Sequence, residues 1–242
     1  MATRVLKKKI EKNMGISNLD SLLSEIFEEP TEKEEQTIKL NNVIAIMTIT
    51  DTIFVTYFRK IFLDMKIQEY FNLFEKSLVY NADSQVIING KQVRIPRKQI
   101  AYGEPGVSYH FSGTEVKTND WNKDDEICKT ICKIKERVEL LSNTKFNFVL
   151  INRYNDGNDY IGFHSDDEKD LVKNSPIVGV SIGAERDFIL KSNSTNKKHT
   201  LRLHNGSMII MHSPTNKYWK HSVPKRASVK APRISLTFRK MI

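Results

Sequence analysis

Between Asn147 and Glu168 the chain reads N-F-V-L-I-N-R-Y-N-D-G-N-D-Y-I-G-F-H-S-D-D-E, and this stretch restricts the possible folds more than any other. Phe148, Val149, Leu150 and Ile151 form a short apolar run with β-branched members, the pattern of a buried strand. Asn155, Asp156 and Gly157 then predict a tight reversal with positive-φ positions. Beyond it, His164 and Asp166 stand two residues apart, and in extended backbone such neighbours project to one face. An imidazole beside a carboxylate supplies two corners of a metal site. The third corner has to come from elsewhere, and His221 in W-K-H-S-V-P-K-R is the leading candidate, with His199, His204 and His212 as competitors.

The C-terminal segment A-P-R-I-S-L-T-F-R sharpens that reading. Period-2 alternation puts Arg233, Ser235, Thr237 and Arg239 on one face of a strand and Ile234, Leu236 and Phe238 on the other. Two arginines on one face are costly to bury unless an anion meets them. A dicarboxylate suits them, because guanidinium grips carboxylate in bidentate fashion. Asn152 and Tyr154, also two residues apart, would add neutral donors. The competing reading of the arginines is a solvated edge strand or a nucleic-acid contact. Two histidines and one carboxylate with open positions is the ligand set of non-haem Fe(II) oxygenases. Alone, H-x-D with a distant histidine is a weak signal.

The rest of the chain supplies a scaffold. Asp64 is expected to cap a helix carrying Ile67, Tyr70, Phe71, Phe74 and Leu78 on one face, and Asp124–Leu141 is expected to be helical with Ile127, Ile131, Ile134 and Val138 buried. Short strands follow at Pro176–Gly183, Arg186–Leu190, Leu201–Leu203, Ser207–Met211 and Arg233–Arg239, a spacing that argues for a β sandwich or barrel. With its helices concentrated earlier, the whole is α+β. Q-V-I-I-N-G-K-Q-V-R reads as a hairpin about Asn89-Gly90, and Lys91, Arg94, Arg97 and Lys98 follow in position to meet phosphates. Tyr109 and Phe111 flank His110, either as core residues or as a stacking surface for bases.

A length of 242 residues fits one good-sized domain with an extension. Residues 1–50 form the extension, where Leu19, Leu22, Leu23, Ile26 and Phe27 have helical spacing, either as a helix that docks a protein partner or as one packed on the domain. Residues 51–242 form the domain. A net charge of +9 favours a polyanionic partner over a merely basic surface. Val43–Phe58 is apolar but broken by Asp51 and four threonines, so it reads as strands and not as a membrane span. Cys128 and Cys132 suit core thiols, and with no secretory signal in Met1–Gly15 the expected compartment is reducing, nuclear or cytoplasmic.

Taken together, N-F-V-L-I-N-R-Y, the D-G turn, I-G-F-H-S-D-D-E, R-D-F, S-P-T-N at Ser213–Asn216, H-S-V-P and P-R-I-S-L-T-F-R resemble the AlkB family of Fe(II)- and 2-oxoglutarate-dependent dioxygenases over roughly residues 50–242. The resemblance implies a double-stranded β-helix (jelly-roll) core with a nucleotide-recognition lid at about residues 83–115. It implies iron ligation by His164, Asp166 and His221, and a 2-oxoglutarate pocket of Asn152, Tyr154, Arg233, Ser235, Thr237 and Arg239, with Ser235 standing where the family commonly has Asn. It assigns base contact to Asp167, Tyr109 and Phe111, and a base-flipping finger to Asn89, Gly90 and Lys91, with Asn89 in place of an aromatic. Arg97 and Arg226 match positions on the DNA side. The implied activity is oxidative demethylation of 1-methyladenine or 3-methylcytosine in DNA by a monomer, using molecular oxygen and releasing formaldehyde and succinate. The alternatives are an RNA demethylase of the same fold and a non-catalytic nucleic-acid-binding domain.

Overall fold

The computed structural model describes residues 52–81, 85–88, 91–111, 114–166 and 168–242, with the backbone alone for 85–88, 91–94, 111 and 114–115. The elements run β1 (Val55–Phe58), α1 (Asp64–Ser77), β2 (Gln85–Ile88), β3 (Lys91–Arg94), β4 (Lys98–Gly103), β5 (Tyr109–Phe111), β6 (Thr114–Val116), β7 (Thr118–Asp120) and α2 (Glu126–Ser142). They continue with β8 (Phe148–Tyr154), β9 (Ile161–His164), β10 (Ile177–Gly183), β11 (Arg186–Ser192), β12 (Lys198–Leu203), β13 (Ser207–Met211), α3 (Thr215–Tyr218), β14 (Trp219–Val223) and β15 (Arg233–Arg239).

A seven-stranded sheet in the order β1-β13-β10-β15-β8-β4-β7 faces a four-stranded sheet in the order β12-β11-β14-β9. Pairing is antiparallel except between β4 and β7. This is the sandwich of a jelly roll with two helices added, as the alternating pattern predicts. Strand period 2 sorts the side chains. Val149 and Ile151 of β8, Val178, Val180 and Ile182 of β10, Met208 and Ile210 of β13, and Ile234, Leu236 and Phe238 of β15 join one core. That core includes Ile67, Tyr70 and Phe74 of α1 and Ile131, Ile134 and Val138 of α2, so both helices pack on the back of the large sheet. The alternate residues of the same strands point the other way, toward the small sheet, where they line a cavity. A second core closes one side of that gap with Val55, Tyr57, Phe188, Leu190, Trp219 and Val223.

Several local expectations are corrected. Asp64 is the first helical residue and not a cap; Leu63 holds the cap position, and the Asp64 carboxylate pairs with Lys60 at 2.8 Å. The second helix begins at Glu126, because the Asp125 carboxylate accepts the Cys128 N–H at 2.8 Å and so acts as N-cap. The Asn155–Gly157 reversal contains no positive-φ residue. It is no two-residue hairpin, because β8 and β9 belong to different sheets and the chain has to cross between them. Gly157 is required there for another reason. A Cβ on it would lie 1.6 Å from the Arg226 carbonyl oxygen, since its N–H donates to Val229 O at 2.8 Å and its own carbonyl accepts the Arg226 N–H at 2.7 Å. Cys128 and Cys132 are free thiols. Among the described residues no helix is long and apolar enough to cross a membrane. The helix expected at Leu19–Phe27 lies outside the described residues.

Candidate active site

The small sheet carries the two histidines. β14 and β9 pair antiparallel with His221 opposite His164, which places their rings 4.2 Å apart. Asp166 follows β9 closely enough for its Oδ1 to lie 3.5 Å from His164 Nε2 and 4.0 Å from His221 Nε2. Ligand atoms of the three residues fall within 4.8 Å of one another, and they form the one such cluster among the described residues. His164 donates through Nδ1 to the Gly162 carbonyl at 2.9 Å, which leaves its Nε2 lone pair for a metal. Burial pushes the His221 pKa down to about 3, so that ring stays neutral, the form that ligates. Burial pushes Asp166 up, but the Arg239 guanidinium beside it outweighs this and holds its carboxyl well below the usual range. The rival histidines are occupied elsewhere: His212 stacks on Phe54 and meets Thr56 Oγ1, His204 meets the Tyr57 hydroxyl, and His199 packs on Trp219.

The large sheet faces this cluster with β8, β10 and β15. Asn152, Tyr154, Arg233, Ser235, Thr237 and Arg239 line the same cavity as His164, Asp166 and His221. Arg239 donates from Nη2 to Asp166 Oδ2 at 3.0 Å and thereby reserves Oδ1 for a metal. Arg233 donates from Nη2 to Ser181 Oγ at 2.8 Å and to Ser235 Oγ at 3.2 Å. Both guanidiniums are buried, yet Nε and Nη1 of each have no hydrogen-bond partner. Orphaned donors of this kind are rare in a folded interior and call for an anion. Asn152 Oδ1 accepts from Arg97 Nε at 2.9 Å and from Gln99 Nε2 at 2.8 Å, so its amide N–H₂ is turned away from them. The residues therefore suit both an iron ion and a dicarboxylate. Ile161, Phe188, Leu203, Ile209, Met211 and Val223 give the cavity an apolar wall.

The residues assigned to the DNA side divide. Arg97 is not at the surface to meet a phosphate: it is buried in the cavity wall, because it shares a face with Gln99 and spends its Nε on Asn152. Arg226 is half exposed, but its guanidinium pairs with Asp187, which also holds Arg202. Tyr109 is buried at the cavity edge, with its hydroxyl donating to Glu168 Oε1 at 2.6 Å. Burial raises the pKa of both groups. Phe111 and Lys91 lie in β5 and β3, with side chains outside the described set, and Asn89, Gly90 and Asp167 are outside the described residues.

Sequence reasoning passed over Gln99, Ser181, Glu168 and Asn216. Asn216 accepts the Asp166 N–H at 3.1 Å and donates through Nδ2 to the Asp166 carbonyl, which clamps the backbone of the metal-ligand candidate. Its signal was the S-P-T-N segment. Gln99 was marked by its i, i+2 relation to Arg97.

The model of the 2OG-Fe(II) oxygenase superfamily matches residues 55–239. The chain is 42% identical over 184 residues to the DNA oxidative demethylase ALKBH2 of Bos taurus, covering 72% of this chain and 64% of that protein. The Homo sapiens DNA oxidative demethylase ALKBH2 is 41% identical over 184 residues, covering 72% of this chain and 68% of the human one. The chain thus spans 64% of the length of the bovine relative. The solved structure of OsALKBH1 superposes with a TM-score of 0.51 at 16% identity, covering 77% of this chain and 97% of that one, which bears on the fold alone. The family match takes in every strand that carries the triad, the arginines and the asparagine, and the chain belongs to the 2OG-Fe(II) oxygenase superfamily, whose members use Fe(II), 2-oxoglutarate and molecular oxygen.

Proposed function

We propose that this protein is a DNA repair dioxygenase that removes N-methyl groups from bases such as 1-methyladenine and 3-methylcytosine. One observation carries the reading: a single cavity holds the His164–Asp166–His221 cluster together with two buried guanidiniums whose partnerless donors suit a dicarboxylate. The DNA part of the reading is supported by relatives named as DNA oxidative demethylases at 41–42% identity. It is supported also by the +9 net charge, since a polyanion is the expected partner.

When bound, Fe(II), 2-oxoglutarate and oxygen supply an oxidation that converts N–CH₃ to N–CH₂OH, which is lost as formaldehyde while the co-substrate becomes succinate and carbon dioxide. The chain's own residues prepare that event. His164 and His221 each offer an imidazole nitrogen and Asp166 offers Oδ1, three ligands that leave positions open. Arg239 fixes Asp166 through Oδ2, and Asn216 fixes its backbone, so the carboxylate is oriented before metal arrives. Arg233, with Ser181 and Ser235 holding one side of its fork, would grip a co-substrate carboxylate. Asn152, held from behind by Arg97 and Gln99, would donate an amide N–H. The apolar wall excludes water from the reacting groups.

Tyr109 lines the cavity, and its hydroxyl is held by Glu168 of an adjoining groove that shares Asp166, Ile177 and Met211 with the cavity. A base inside a duplex cannot reach this depth, so the substrate nucleotide has to be flipped or already unpaired. The test is formaldehyde release from matched oligonucleotides carrying 1-methyladenine as duplex DNA, single-stranded DNA and RNA. Release from DNA exceeding that from RNA is expected. Release from RNA alone, or from none of the three with iron bound, overturns the proposal.

A further inference from the structure

Arg186 opens β11 and is 1% exposed, yet it is not part of the cavity wall. Its Nη1 donates to the Asp156 carbonyl at 3.1 Å, and its Nη2 donates to the Asp159 carbonyl at 2.8 Å and to the Pro224 carbonyl at 2.6 Å. It thereby ties the crossing from β8 to β9, ahead of His164, to the end of β14, just past His221. Three carbonyls need donors only, and a full positive charge is a further cost at such depth. Among the described residues Arg186 forms no ion pair, and its Nε has no hydrogen-bond partner. The charge lies against Tyr154, which is part of the cavity wall: the Arg186 guanidinium carbon is 5.7 Å from the centroid of that ring, and the Arg233 guanidinium carbon is 5.1 Å from it. The ring attracts each cation, but the two cations repel one another. Burial and, after it, the Arg186 charge push the Arg233 pKa down.

Tyr154 and Arg233 are cross-strand partners at the end of β8 and the start of β15. Arg239, at the other end of β15, bonds Asp166 beside the histidines. A dicarboxylate held at the metal ligands by one end would therefore offer its other carboxylate to Arg233. Resting on the reading of this cavity as a 2-oxoglutarate pocket, we infer that Arg186 is a positioning residue for the co-substrate: it sets Tyr154 against Arg233 and adds a charge behind them, so that the pocket selects a carboxylate over a neutral group at the end remote from the metal. An anion that settles on Arg233 relieves the repulsion between the two cations, which gives the buried charge of Arg186 a purpose that three carbonyls do not. The same guanidinium braces the segments next to both histidine strands, so the remote end of the pocket and the metal ligands share one support.

The test is calorimetric titration of the full chain, loaded with Fe(II) without oxygen, against 2-oxoglutarate and against 2-oxopentanoate, which keeps the 2-oxo acid and lacks the remote carboxylate. Two neutral variants are compared with wild type, Arg186→Gln keeping amide donors for the carbonyls and Arg186→Met keeping the length, so that failure of one to fold leaves the other. A third, Arg186→Lys, keeps the charge. The preference for 2-oxoglutarate over 2-oxopentanoate is expected to fall about tenfold in the neutral variants, the effect of one charge roughly 10 Å away at an effective dielectric constant of about 20. Arg186→Lys is expected to restore the preference. A role confined to holding the fold would weaken both ligands alike, so a wild-type preference in the neutral variants overturns the inference. Loss of preference in Arg186→Lys equal to that in Arg186→Gln overturns it too, since charge would then not be the cause. Wild type that binds 2-oxopentanoate as tightly as 2-oxoglutarate overturns the reading of the pocket itself, an outcome distinct from the other two.

Discussion

Replacing Arg233 by methionine separates binding from folding. Arg233 is 2% exposed, and its Nε and Nη1 have no partner, while Nη2 donates to Ser181 and Ser235. Burial pushes its pKa down, which signals a charge that is uncomfortable without an anion. Arg233→Met removes two hydrogen bonds worth about 1 kcal/mol each, and it also removes two orphaned donors whose burial costs about 1–3 kcal/mol each. The ligand-free protein is therefore expected to lose less than about 2 kcal/mol, or to gain stability. Binding should respond quite differently. Two charge-assisted hydrogen bonds to a carboxylate contribute about 1.5–3 kcal/mol each, so Kd for 2-oxoglutarate should rise by two to four decades. The assay is anaerobic thermal melting with Fe(II) across a 2-oxoglutarate titration, since a ligand selective for the folded state raises Tm with its concentration. A variant that loses several kcal/mol without ligand and keeps the wild-type response to 2-oxoglutarate would refute the reasoning, because Arg233 would then be a structural pillar.

Arg239→Met should behave in the opposite way, costing about 3–5 kcal/mol in metal-free urea unfolding, because it strands the buried Asp166 carboxylate; unchanged stability would contradict this. Asn216→Ala removes the clamp on the Asp166 backbone and should weaken divalent-metal binding by about 10–100-fold in calorimetric titration, with no change if the clamp is incidental. Gly157→Ala drives a Cβ into the Arg226 carbonyl and should cost about 3 kcal/mol or more in urea unfolding. Burial lowers the His212 pKa to about 4, so the unfolded chain binds the proton first; stability present above about pH 6.5 is lost as pH falls toward 4, by up to about 3 kcal/mol. His212→Phe, which can keep the stack on Phe54, should flatten that part of the pH profile of unfolding.

Alternation made the two faces of β15 readable in advance. Arg233, Ser235, Thr237 and Arg239 go to the cavity and Ile234, Leu236 and Phe238 to the core, because strand period alone decides it. The same rule would have moved Arg97 indoors. It lies two residues from Gln99, and both face Asn152, while Lys98 between them is exposed; counting cations as a run hid the alternation. The Asn155–Gly157 turn misled because turn chemistry is local, and the need for glycine comes from the distant Arg226 carbonyl. His221 could not be singled out by spacing, since its place depends on the pairing of β14 with β9. Asn216 lay in a quoted motif without a role, because its hydrogen bonds to Asp166 exist only once α3 meets the end of β9.

The mass of an oligonucleotide bearing 1-methyladenine, measured after incubation with the protein, Fe(II), 2-oxoglutarate and air, tests whether this cavity demethylates DNA. Wild type should remove one methylene's mass and regenerate the unmodified strand, and His164→Ala, Asp166→Ala and His221→Ala should each leave the strand unchanged. An unaltered mass with wild type, or full conversion by any of the three variants, would contradict the assignment of this cavity as the demethylation site.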